Sequence, residues 1–277
     1  MADRLAADRD RPSLFALLVA GFIFLIRRIH LFAVICLPIA VLAGGISWIL
    51  EIDRRLVYWR NDWVWDLLFT VVYALFLNRW IKESLLDGAT DCEEVDNLRR
   101  AIVSPRFLLF AIFFYVFAIV LGTLPIEWIV APAALSGTFF GDLLPWLPHL
   151  VFWSMILALF CLYLPALSVA EGVSLRLAVR LTRAARPQLI ELILGAALLS
   201  LLGTAAASHW GLPLMPTKAW AIAAMAAAHR LFDCLLLAFV GHGLADLYRY
   251  ITDWRQPEPE DRPYRGLGVK SRRIRTG

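Results

Sequence analysis

The sequence predicts an all-α polytopic membrane helix bundle, with six transmembrane helices preceded by an interfacial amphipathic helix. Three observations predict it. Of 277 residues, 60% are apolar and 18% charged, and the mean hydropathy is +0.68; a soluble domain is nearer ~45–50% apolar. Six apolar stretches each approach the ~20 residues a helix needs to cross a hydrocarbon core. The segments between them alternate sharply in Lys and Arg content.

The chain opens on a mixed-charge arm and an apolar block over residues 13–30, which ends in Arg27, Arg28 and His30. The block is too short to span. Joined to the next stretch it would put two arginines near mid-membrane, at ~2.5–3.5 kcal/mol each. An interfacial helix with the Arg pair at a turn avoids that cost; a re-entrant segment is the other arrangement left open. No signal-peptide cleavage site follows the block. Residues 1–30 are therefore a cytoplasmic arm and interfacial helix, 31–250 the six-helix domain, and 251–277 a basic, disordered tail.

The first span is residues 31–50, with Pro38 and Gly44-Gly45 inside it as a bend or close contact. The second is 63–80 and the third 107–126. The fourth is 149–170, with Pro165 near its inner end, the fifth 189–208, rich in small residues, and the sixth about 220–245. The outer loop 127–148 has no cation and three prolines, and is expected to lie on the membrane or cap the bundle.

One set of connecting segments, with both termini, holds 22 Lys and Arg; the opposite set holds four, and Arg230 lies inside the sixth stretch. The positive-inside rule places both termini in the cytoplasm. All eleven tryptophans fall near predicted span ends, as interfacial indoles do. A pI near 9.0 reflects these orienting arginines, so no nucleic acid is expected.

Ionisable residues inside a span face an interior, a partner or water. His229, Arg230 and Asp233 stand at helical spacings of three and four, and form a candidate intramembrane polar site. Asp66 in the second span is a candidate partner for Arg230. The rival reading is a structural ion pair with Arg230 snorkelling outward. Asn78 and Glu191 are boundary residues within reach of Lys82 and Arg186. Arg176, Arg180 and Arg183 share one face of a basic amphipathic helix and are candidate anionic-lipid contacts; as orientation signals they would need no ligand. The acidic segment 83–96 reads as a solvated turn. His242 has no second metal ligand at useful spacing, and the five histidines are scattered, so no metal is expected. Cys36, Cys161 and Cys234 read as small apolar fillers and Cys92 as a loop thiol.

Leu37-Pro38, the stretch from Leu164 to Gly195, and ADLYRYI from Ala245 to Ile251 resemble the YciC-like bacterial inner-membrane proteins. They also resemble the membrane domain attached to some glycerophosphodiester phosphodiesterases. The likeness is one of pattern over about residues 13–251. It implies an amphipathic helix followed by six spans, and carries over no catalytic residue.

No Walker loop, GxGxxG, HExxH or GxSxG motif occurs in the sequence. The expectation is a non-enzymatic membrane component, without cofactor, that organises membrane lipids or a membrane-protein partner. The alternative is a transporter or permease subunit with its polar site around Arg230 and Asp233. A membrane-embedded enzyme is a third class and ranks behind both, since no base and nucleophile are visible together.

Overall fold

The structure, a computed structural model, describes residues 12–52, 62–89, 93–101, 103–122, 147–169, 174–206, 219–252 and 254. Among these the regular secondary structure is all helical. Most of the 127–148 loop, Cys92 and the tail from residue 255 lie outside the described residues.

Helix α1 (Leu14–Arg27) is capped by Ser13, whose Oγ accepts from the Ala16 N–H at 3.2 Å. It buries Leu17, Gly21, Phe24 and Leu25, one face at helical spacing, and leaves Phe15, Phe22 and Ile26 exposed on the other. Arg28 departs from helical geometry (φ −111°, ψ 23°), and α2 (Ile29–Ile52) starts at the next residue. The turn therefore falls at the arginine pair. α2 runs through Pro38 without interruption.

Helix α3 (Asp62–Leu85) ends in a turn where Gly88 takes a φ of 78°, a left-handed conformation that suits a residue without Cβ. The acidic segment is a turn only at residues 86–88: the Glu83 side chain before it is buried and ion-paired, and from Glu93 the chain enters α4 (Glu93–Arg100), whose Val95 is fully buried. Pro105 opens α5 (Pro105–Gly122), a position where its missing N–H costs nothing.

The fourth stretch is two helices, α6 (Leu147–Phe160) and α7 (Tyr163–Ser168), separated at Cys161–Leu162. Pro165 explains the break, because its ring clashes with the carbonyl four residues earlier, that of Cys161. The basic segment and the fifth stretch instead join in one element, α8 (Leu175–Ala206), which kinks at Ala185 (φ −118°, ψ 17°) just before Pro187. Helix α9 (Ala219–Thr252) is continuous. Ile29–Ile49 and Ala219–Thr252 are long and apolar enough to cross a membrane.

Helix α9 is the post of the fold: it packs on α1, α2, α3, α7 and α8. Small residues let it do so. A Cβ on Gly241 would meet the Leu77 side chain at 2.9 Å, and one on Gly243 would meet Leu192 at 2.7 Å. Across the α2 contact, Cys36 and Cys234 are both fully buried in one cluster, with their thiols close to each other. They are a contacting pair, not isolated fillers. Trp80 gathers three rings on its own: Phe24 at 5.3 Å, Phe76 at 5.7 Å and Phe32 at 5.8 Å.

The two adjacent glycines of α2 test this packing. A Cβ on Gly44 would lie 3.1 Å from the Ala223 carbonyl oxygen, which is backbone and cannot swing away; Gly45 has no such neighbour within 4 Å. Gly44→Leu is expected to destabilise the protein by about 1–3 kcal/mol, the usual cost of overpacking. Gly45→Leu is expected to leave the thermal unfolding midpoint close to that of the parent. Equal losses for the two would contradict the assigned α2–α9 contact.

Candidate functional site

The spacing of His229, Arg230 and Asp233 on α9 brings all three together. Asp233 Oδ2 accepts from Arg230 Nη1 at 3.4 Å and lies 3.8 Å from His229 Nε2, a pair that is ionic only when the imidazole is protonated. Two residues not foreseen complete the cluster. The Tyr73 hydroxyl donates to Asp233 Oδ2 at 2.9 Å and accepts from Arg230 Nη1 at 3.3 Å. Ser200 Oγ on α8 donates to Asp233 Oδ1 at 3.5 Å. The Arg230 guanidinium also lies over the Phe69 ring, 4.3 Å from its centroid. Asp66, the expected partner of Arg230, belongs to α3, and its side chain lies outside the described residues.

A cavity of about 510 Å³ runs from this cluster between α3, α5, α6, α7, α8 and α9. Its wall includes Tyr73, Phe110, Leu157, Ala197, Asp233 and Leu244. Asp233 and Leu244 are eleven residues apart on α9, about 16 Å at 1.5 Å per residue. The long wall is apolar, and the hydrogen-bonding groups of Tyr73, Ser200 and Asp233 lie toward the Asp233 end. That is the common form of a small-molecule site: an apolar pocket with a few convergent polar groups.

A second polar cluster, unforeseen as a unit, occupies the other end of α9. His242 Nδ1 meets Ser84 Oγ at 3.2 Å, and His242 Nε2 meets Asp246 Oδ2 at 3.2 Å. The composition is that of a Ser–His–Asp relay. Ser84 is nevertheless fully buried, and neither cavity described here is lined by it. Phe24 stacks on the imidazole at 4.7 Å, so the group joins α1, α3 and α9. Arg249 bonds to Asp246 at 3.5 Å and donates to the carbonyls of Ser84 and Leu85, the last residues of α3. A cation there satisfies orphan carbonyls and opposes the helix dipole.

The same device caps α4. Lys82 Nζ donates to the Ala101 carbonyl at 2.8 Å, and Arg79 donates to that of Arg99. Lys82 thus reaches the end of α4 and not Asn78, whose Oδ1 is buried without a hydrogen-bond partner. Burial, and secondarily Arg79 beside it, pull the Lys82 ammonium below its usual range. Arg79 also pairs with Glu83 at 2.8 Å, and Arg28 with Asp87 at 3.4 Å. Glu191 and Arg186 are both exposed.

Arg176, Arg180 and Arg183 are exposed along one face of α8 before its kink. With Phe160, Leu175 and Val179 they line an open groove of about 560 Å³. The groove offers three guanidinium groups above an apolar floor. Among the described residues, no group of three or more His, Cys, Asp or Glu side chains is arranged to hold a metal ion.

Comparisons with protein-family models, with curated proteins and with solved structures found no match for this chain.

The Arg230–Asp233 pair is half-buried, so each charge depends on the other more than on water. Arg230→Met and Asp233→Leu are each expected to cost about 1–3 kcal/mol, less than the ~3–5 kcal/mol of a fully buried broken pair. The double substitution is expected to cost less than the sum of the two, because neither charge is then stranded. Denaturant midpoints of the three variants measure this; strict additivity would show that the two groups are not coupled.

Proposed function

We propose that the chain is an integral protein of the bacterial cytoplasmic membrane, with six spans and both termini inside. In this reading it is a non-enzymatic component that organises membrane lipids or a partner protein. The observation that carries the reading is the outward surface of the bundle. Phe15, Phe22, Val34, Val41, Ile49 and Leu109 are each more than half exposed. Large apolar faces of this kind are unfavourable in water, at roughly 25 cal/mol per Å². Hydrocarbon removes that cost, and the one-sided distribution of Lys and Arg supplies the orientation.

The pattern likeness to YciC-like membrane proteins belongs to the same proposal. So does the lipid role of the α8 groove. An anionic headgroup would meet Arg176, Arg180 and Arg183 there, and the apolar floor at Phe160 and Leu175 would meet the start of its chains. One observation also favours the transporter reading: the cavity reaches the Asp233 carboxylate, a group able to carry a proton or a cation.

Reporter fusions at residues 1, 92, 180 and 277 are expected to stay cytoplasmic, and fusions at 57, 137 and 213 to be exported. Placement of Arg180 and the C-terminus on opposite sides would overturn the topology. In proteoliposomes, Arg176→Gln, Arg180→Gln and Arg183→Gln together are expected to reduce retention of anionic phospholipid without loss of fold; unchanged retention would remove the groove from the lipid role. A proton flux that vanishes in Asp233→Asn would decide for the transporter.

A further inference from the structure

We infer that the cavity running from Asp233 to Leu244 is a binding site for one long alkyl chain that ends in an uncharged hydroxyl group. The inference rests on the membrane reading above, because such ligands partition into a bilayer. It goes further by naming what the cavity takes.

The shape sets the chain. About 16 Å of apolar wall along α9 accommodates on the order of a dozen methylenes, taking a carbon–carbon bond of ~1.5 Å. The long sides are made by Phe107, Phe110, Leu157, Ile193, Leu236 and Leu244, which have no polar side-chain atom to bond a second headgroup. A roomy apolar space favours an apolar occupant over water.

The polar end sets the headgroup. Asp233 is part of the wall, whereas Arg230 is not: its guanidinium is turned onto Phe69. An anionic headgroup entering the cavity would therefore meet a carboxylate and not the guanidinium. A cationic headgroup would compete with Arg230 and His229, which already face Asp233 Oδ2 at 3.4 and 3.8 Å. A hydroxyl group has neither conflict. It donates to Asp233 Oδ1, where Ser200 is the long 3.5 Å contact, and brings no charge into an apolar space. Long-chain alcohols and acylglycerols share this chemistry.

The test uses the full chain in lipid vesicles and a diazirine-bearing 1-tetradecanol as probe. Labelled peptides are mapped, and unlabelled 1-tetradecanol, monomyristoylglycerol and myristate are used as competitors. Saturable labelling at Leu157, Ile193 or Leu236, displaced by the alcohol or the acylglycerol at concentrations at least tenfold below myristate, is the expected result. The better of the two displacing compounds identifies the source of the hydroxyl. Asp233→Leu is expected to weaken the probe about tenfold while floating with vesicles as the parent does. Ala197→Trp, which fills the cavity, is expected to abolish interior labelling. Labelling confined to outward residues such as Val34, Val41 and Leu109, or equal displacement by myristate, overturns the inference and leaves the membrane reading standing. A chain that fails to float with vesicles removes the membrane reading, and this inference with it.

Discussion

The fold depends on the close packing of one helix, α9, against five others. A helix enclosed on so many sides has room only for small residues where its neighbours cross. Ala221, Ala223, Ala238, Gly241, Gly243 and Ala245 are such residues, and all are buried. They allow backbones and rings to approach: Gly44 sits against the Ala223 carbonyl, and Trp80 and Ile81 lie beside Gly241. Van der Waals contact at this range is what holds helices together when both the interior and the surroundings are apolar. It also fixes where larger side chains go, since a bulky residue at any of these crossings pushes a neighbouring helix away.

The same enclosure dictates the polar groups of α9. They occur in two sets, His229–Asp233 and His242–Arg249, separated by about 13 Å of helix. In each set the charges are answered by side chains or carbonyls from other helices. Asp233 takes Tyr73 and Ser200; His242 takes Ser84; Arg249 takes the end of α3. The α4 terminus is closed likewise by Lys82 and Arg79. The last carbonyls of a helix have no donor within the helix, and here neighbouring helices lend them one. These trans caps tie the short α4 to α3, and the end of α3 to the post.

Local signals were legible in the sequence and long-range ones were not. The apolar stretches, the turn at Arg28, and the joining of Arg230 and Asp233 follow from spacing within a few residues. The break at Cys161–Leu162 was legible in principle, since Pro165 was visible four residues on, but residues 149–170 form an unbroken apolar run that masks it. Tyr73, Ser84 and Ser200 carry no local mark, because the partner of each lies 33 to 160 positions away. The capping role of Lys82 and Arg249 was hidden because cations near span ends already had a sufficient reading as orientation signals. The cavity has no sequence signature, because its walls are ordinary core residues that fail to meet.

Fold and function meet in α9, whose one face packs on α2 while another forms the wall of the cavity ending at Asp233. The most direct test of this arrangement is oxidative cross-linking in native membranes of a Cys92→Ser, Cys161→Ala variant. Cys36 and Cys234, facing each other between α2 and α9, are expected to form an intramolecular disulfide that Cys36→Ala abolishes. Persistence of both as free thiols, after full oxidation of a control pair elsewhere in the chain, would contradict the placement of α9 at the centre.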